Sequence, residues 1–200
     1  MSSQEPVTSQ TMPRGLHVEM LIKNFEKLSN DDRTLFSNGS MYLGVNAGFA
    51  GLIANSFFRR LLNVTQGRIT SSLPMATLPF LTTVALYNAT VTNPLLLGEL
   101  NCPTCVVVRG ALVGVAAAGV YPLILALPVN AGLASRYNTA PMPEKGNIMR
   151  YWVNATRPVV RKMSFIFVLQ GLFGAYVSKR HFDIYLTLLK MTGTDDELHD

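Results

Sequence analysis

Cys102 and Cys105 are separated by two residues in a 200-residue chain that holds no other cysteine. A thiol pair at this spacing can close a disulfide or exchange one. Exchange of the thioredoxin kind needs a strand–helix–strand setting that lowers one thiol pKa, and none surrounds this pair. A tetrahedral zinc site needs four ligands, and His17, His181 and His199 all lie toward the chain ends. A structural disulfide is the leading expectation, with free thiols and redox exchange left open. No G-x-x-x-x-G-K-[ST], H-E-x-x-H or G-x-S-x-G pattern occurs elsewhere. The sequence therefore reads as a non-enzyme with no catalytic residue, no metal and no cofactor.

The other groups that can act chemically are cations. Arg59, Arg60 and Arg68 fall in residues 59–68, which contain no acid, for a net +3. Residues 136–162 hold Arg136, Lys145, Arg150, Arg157, Arg161 and Lys162 against Glu144, for a net +5. Clusters of this kind meet anionic lipid headgroups at about 1 kcal/mol per residue. They can equally be charges that only set topology. Nucleic acid is not expected, because neither aromatic interleaving nor a binding motif accompanies them.

The elements that must position these groups are written in the gaps between charges. Charged residues are 14% of the chain, against about a quarter in soluble domains, and mean hydropathy is +0.25. Residues 34–58, 69–98, 110–135 and 163–178 carry no charge at all. A spanning helix takes about 20 mostly apolar residues. The first three stretches suffice, and snorkelling Arg161, Lys162, Lys179 and Arg180 extend the fourth. The run from Val113 to Leu127 is apolar all round, so it has no face for water.

The expected fold is an all-α polytopic membrane protein, a four-helix transmembrane bundle with short amphipathic terminal helices. Residues 1–33 form an N-terminal tail, with a helix over Leu16–Leu28. The four-span domain covers 34–178, with spans near 36–58, 72–93, 110–133 and 159–178. Residues 179–200 form an amphipathic segment and a disordered acidic tail. Four spans put both basic loops on one side, which the positive-inside rule makes the cytosol or the mitochondrial matrix. Residues 1–12 do not resemble a secretory signal, and with Arg14 alone before Arg33, among Glu5, Glu19 and Glu26, an arginine-rich, acid-poor presequence is not expected.

Within the spans, small residues recur at helical spacing: Gly44, Gly48 and Gly51 in the first, Gly110 and Gly114 in the third, Gly171 and Ala175 in the fourth. Lipid offers no hydrophobic gain for helix association, so close backbone approach through such residues is what allows packing. They mark a tight bundle or the face that captures a helical partner. Pro74, Pro79, Pro122 and Pro128 predict kinks. Asn46, Asn55, Asn88, Asn130 and Gln170 can bond across helices, and no ionisable side chain is expected deep in any span. That weighs against an ion-coupled transporter.

Particular strings go further. Gly51–Thr65 (GLIANSFFRRLLNVT), Leu73–Thr83 (LPMATLPFLTT), Tyr121–Tyr137 (YPLILALPVNAGLASRY), Lys145–Ile148 and Arg161–Met163 resemble the transmembrane protein 126 family over about residues 35–178. Asn38-Gly39-Ser40 and the Cys102/Cys105 pair are similar to its A-type branch. The resemblance implies a multi-pass protein of the mitochondrial inner membrane. It further implies a role in assembling respiratory complex I, with membrane-arm subunits, other assembly factors and inner-membrane lipid as partners. Neither a small-molecule substrate nor catalytic residues are implied. A small-solute transporter or channel, with Thr77, Thr82, Thr83, Asn88 and Thr90 along one helix, is the alternative.

Overall fold

A computed structural model describes residues 22–140 and 147–197 of the chain. Among these residues every regular element is helical. The four principal helices are α1 (Asn30–Leu61), α2 (Arg68–Leu96), α3 (Pro103–Tyr137) and α4 (Ile148–Glu197). Each contains a stretch long and apolar enough to cross a membrane. The fold is the expected all-α transmembrane bundle.

Local chemistry fixes where each helix begins and ends. Ser29 caps α1: its hydroxyl accepts from the Asp32 N–H at 3.3 Å and donates to Asp32 Oδ2 at 3.0 Å. Asp31 and Asp32 also place negative charge at the positive end of the helix dipole. Three C-termini close in the same way, with a left-handed residue just past the helix. Asn63 (φ 52°), Gly98 (φ 71°) and Asn138 (φ 51°) occupy that position. In each case the next N–H returns to a carbonyl five residues back: Val64 to Arg59, Glu99 to Pro94 and Thr139 to Ala134. These are Schellman closures.

Proline explains the irregular turns. A helical proline lacks an N–H and its ring presses on the carbonyl four residues earlier. For Pro94 that carbonyl belongs to Thr90, and for Pro122 to Ala118. Both lie in π-helical turns, Asn88–Thr92 and Gly114–Val120. The wider ring lets the Asn93 and Tyr121 N–H groups reach five residues back, to Asn88 and Ala116. The Thr90 carbonyl, left without its usual donor, accepts from Arg109 Nη1 at 3.3 Å. Pro74 and Pro79 sit inside α2 with no such turn.

α1 and α3 are the inner helices. Half of the apolar window of α1 and 44% of that of α3 are buried, against 22% in α2 and in α4. One apolar core, built around Leu43, Tyr87, Val106, Val177 and Leu188, fills the end of the bundle that holds the Cys102 loop. A second, around Phe58, Met75, Leu123 and Met163, fills the opposite end. A small cluster of Leu62, Val64 and Ala134 seals that end.

The last helix departs from expectation. α4 has 50 residues, about 75 Å at 1.5 Å per residue, far more than the roughly 30 Å of a hydrocarbon core. It begins before the expected span at 159, so Arg157, Arg161 and Lys162 are helical rather than in a loop. Val159 and Met163, buried against the second core, hold that segment. At its other end it continues without a break through Glu197, because Phe182, Ile184, Tyr185 and Leu188 are buried in the first core. There is no separate C-terminal helix, and Asp195, Asp196 and Glu197 are in α4. The first part of the expected Leu16–Leu28 helix, residues 16–21, lies outside the described residues. Of its described part, residues 22–25 are helical, and Leu28 packs into the first core with Phe25 against it.

Candidate functional site

The glycines lie where helices touch. A Cβ built on Gly51 would strike the Met75 carbonyl oxygen, and one on Gly48 would come within 3.0 Å of the Ala76 oxygen. Pro79 deprives that Met75 oxygen of its helical donor, so α2 presents a bare carbonyl to the bare Cα of α1. Gly44 accommodates Val84 and Phe80. On the other side, Gly110 receives Ser178 and the Gly174 carbonyl, while Gly114 receives the Gln170 carbonyl. A Cβ on Gly171 would come within 2.8 Å of Val115, and Ala175 one turn on is half-buried. The glycine faces therefore join α1 to α2 and α3 to α4. They are not an open face for capturing another helix, because the chain's own backbone already fills them.

Polar side chains inside the bundle find one another. Asn130 Nδ2 donates to Asn55 Oδ1 at 2.8 Å, and Asn55 Nδ2 donates to Ser71 Oγ at 3.2 Å. Gln170 Nε2 donates to the Asn46 carbonyl at 2.9 Å. Asn46 turns its own amide to the Tyr42 carbonyl of α1, and Asn88 lies in the first π-turn. Thr77 and Thr90 donate to Leu73 and Leu86 of their own helix, and Thr83 is buried.

His181 is the residue that the sequence reading misplaced. It lies in the core with 1% of its surface exposed, three residues beyond the span expected to end at 178. The expectation that His181 belongs to a tail is corrected accordingly. Tyr87 Oη is 3.2 Å from its Nδ1 and 3.0 Å from Ser178 Oγ, and its Nε2 is 3.1 Å from the Leu35 carbonyl. One ring thereby ties α1, α2 and α4. Gly39 makes room for it, since a Cβ there would meet Nε2. The available signal was periodicity: His181 continues the stripe Gly174, Val177 and Ser178, and leads to Tyr185 and Leu188, all buried.

Cys102 and Cys105 are free thiols, both exposed. Cys102 serves as the N-cap of α3, its sulfur accepting from the Cys105 N–H at 3.4 Å. Hydrogen bonding from the Cys105 side chain, and then from its backbone, holds the Cys102 thiol below its ordinary pKa. Among the described residues no three His, Cys, Asp or Glu side chains converge to hold a metal.

The basic residues gather at the end of the bundle opposite the cysteines. Arg59 is buried and clamps the α1–α2 loop, donating to Ser71 Oγ at 3.0 Å, Gln66 O at 2.9 Å and Gly67 O at 3.4 Å. Arg60, Arg68, Arg136, Arg157, Arg161 and Lys162 are exposed. Lys162 Nζ stands 5.7 Å from the Phe57 ring centroid. Thr139 Oγ1 donates to Leu62 O at 3.0 Å and so draws the end of α3 to the end of α1.

The profile of the family described as "Transmembrane protein 126" matches residues 16–195. The chain belongs to the transmembrane protein 126 family. The match is wider at both ends than the resemblance over 35–178, and it includes the part of α4 that carries His181. Transmembrane protein 126A of Mus musculus is 47% identical over 199 residues, covering all of both chains. The Homo sapiens protein of that name is 46% identical, covering 88% of this chain and 91% of its own. Complex I assembly factor TMEM126B, mitochondrial, of Rattus norvegicus is 33% identical, covering 86% of this chain and 74% of its own. Within the family the chain is thus more similar to these A-type relatives. No solved structure matches it.

Proposed function

We propose that this protein is a non-enzymatic assembly factor of mitochondrial respiratory complex I, resident in the inner membrane, where it holds membrane-arm subunits until they are joined. The observation that carries the reading is its membership of a family in which the 33% identical rat relative is named a mitochondrial complex I assembly factor. The architecture supports it. The buried amides of Asn55, Asn130 and Gln170 donate within the bundle, and large apolar side chains are left exposed on the outer helices. On α4, Phe165, Val168, Leu172 and Tyr176 are exposed along one face, with Phe165 at 72% and Leu172 at 67%. On α2, Leu73 and Leu81 are likewise exposed. These flanks are where a client helix lies alongside, because the glycine faces are spent inside the bundle. The basic end faces the matrix, and the Cys102 loop faces the intermembrane space.

Removing the protein from cells and resolving respiratory complexes on native gels tests the role. The expected outcome is loss of mature complex I with a stalled membrane-arm intermediate. Normal complex I without such an intermediate would refute the proposal.

A further inference from the structure

We infer that the cleft at the basic end of the bundle, between the end of α1 and the start of α2, is a binding site for a phosphate group, of the kind carried by anionic phospholipid headgroups. The cleft has a volume of about 540 Å³, within the range of small-ligand sites. Arg59, Arg60 and Arg68 line it together with Asn55, Asn63, Thr65 and Ser72, and no lining residue is acidic.

Arg59 is the built part of this site. It is 8% exposed, and three of its five N–H donors hold the loop carbonyls of Gln66 and Gly67 and the hydroxyl of Ser71. That leaves two donors on a guanidinium fixed in place before any ligand arrives. Ser71 is itself anchored by the Asn130–Asn55 pair, so the cleft wall is continuous with the buried polar network. The Arg68 charge is near enough to repel that of Arg59. No carboxylate relieves this among the lining groups; a bound anion would. The α2 N-terminus adds to the same field, having neither a side-chain cap nor an acid in its first turn.

Depth favours a headgroup. α1 ends at Leu61 and α2 begins at Arg68, so the cleft opens where two membrane-crossing helices leave the hydrocarbon. Guanidinium forks suit phosphate oxygens, pairing with them bidentately.

The test uses the full chain in nonionic detergent, with thermal unfolding followed as short-chain phosphatidylglycerol, phosphatidylcholine or inorganic phosphate is added. Phosphatidylglycerol is expected to raise the melting temperature saturably, and phosphatidylcholine is expected to leave it unchanged. Arg60→Gln with Arg68→Gln should weaken the effect about 30-fold, from about 1 kcal/mol per arginine at 1.4 kcal/mol per decade. Should the double variant fail to fold, Arg60→Gln alone should weaken it about fivefold on the same conversion. Arg136→Gln, at the same end but outside the cleft, should leave it intact. Millimolar inorganic phosphate that displaces the lipid would make free phosphate a ligand of the site, and failure to displace would assign it to the headgroup. No saturable response to either anionic probe would overturn the inference. So would a loss from Arg136→Gln equal to that from the cleft variants.

Discussion

Two residue types make predictions that differ from their ordinary behaviour. Cys102 is a thiol serving as a helix cap, with hydrogen bonds favouring its thiolate. A lowered pKa means that thiolate is present at lower pH, so alkylation should begin on the acidic side of the ordinary thiol range. Rates of iodoacetamide labelling against pH on a Cys105→Ser chain, which keeps a hydroxyl donor, would measure this. A profile centred at an ordinary thiol pKa would count against the capping geometry. The glycines offer a paired comparison. A Cβ on Gly110 meets Ser178 and the Gly174 carbonyl, whereas one on Gly132 meets nothing within 4 Å. Gly110→Ala should destabilise the bundle by about 1–3 kcal/mol, and Gly132→Ala should be neutral or stabilising by up to about 1 kcal/mol. Unfolding both variants in the same detergent decides it, and equal effects would contradict the close approach of α3 to α4.

Helices here are shaped by proline and held by a few anchored side chains. π-turns ahead of Pro94 and Pro122 absorb the missing donors, so α2 and α3 continue past residues that would otherwise break them. α4 is longer than a membrane requires because Phe182, Ile184, Tyr185 and Leu188 complete the first core. Truncation after Ser178 removes His181, Phe182, Ile184, Tyr185 and Leu188, all buried. Each large apolar group lost from a core costs about 2–5 kcal/mol, and Tyr87 also loses its histidine partner. The truncated chain should aggregate in detergent, while one ending at Met191 should elute as a single species on size exclusion. A monodisperse chain ending at Ser178 would show that this part of α4 does not hold the bundle.

For the molecule as a whole, the arrangement of inner and outer helices decides which surfaces can meet a partner. α1 and α3 are enclosed, and α2 and α4 carry the outward apolar side chains. A photoreactive amino acid at Leu172 or Leu81 should therefore form adducts with newly made inner-membrane proteins. Adducts confined to the loops joining the helices would place the client elsewhere. The thiol pair and the arginine-lined cleft also lie at opposite ends. Up-and-down connection of four helices produces this, since alternate loops must share an end.

Charge spacing by itself determined the number of membrane-crossing helices and the grouping of the basic segments. The reason is that burying a charge in hydrocarbon costs several kcal/mol whatever the fold, so its absence can be read locally. Small-residue spacing likewise marked Gly48, Gly51, Gly110 and Gly114 as contact points. Which partner they contact was decided only in three dimensions, where the carbonyls of Met75, Ala76, Gly174 and Gln170 already occupy those faces. The same holds for Arg59 and His181. Beside its neighbours in sequence each reads as a free surface cation or a tail residue. Both are buried because hydrogen-bond partners from distant parts of the chain, Ser71 for one and Tyr87 and Leu35 for the other, make burial affordable. Whether a polar group can be buried depends on what folding brings beside it, and that is a property of the tertiary structure.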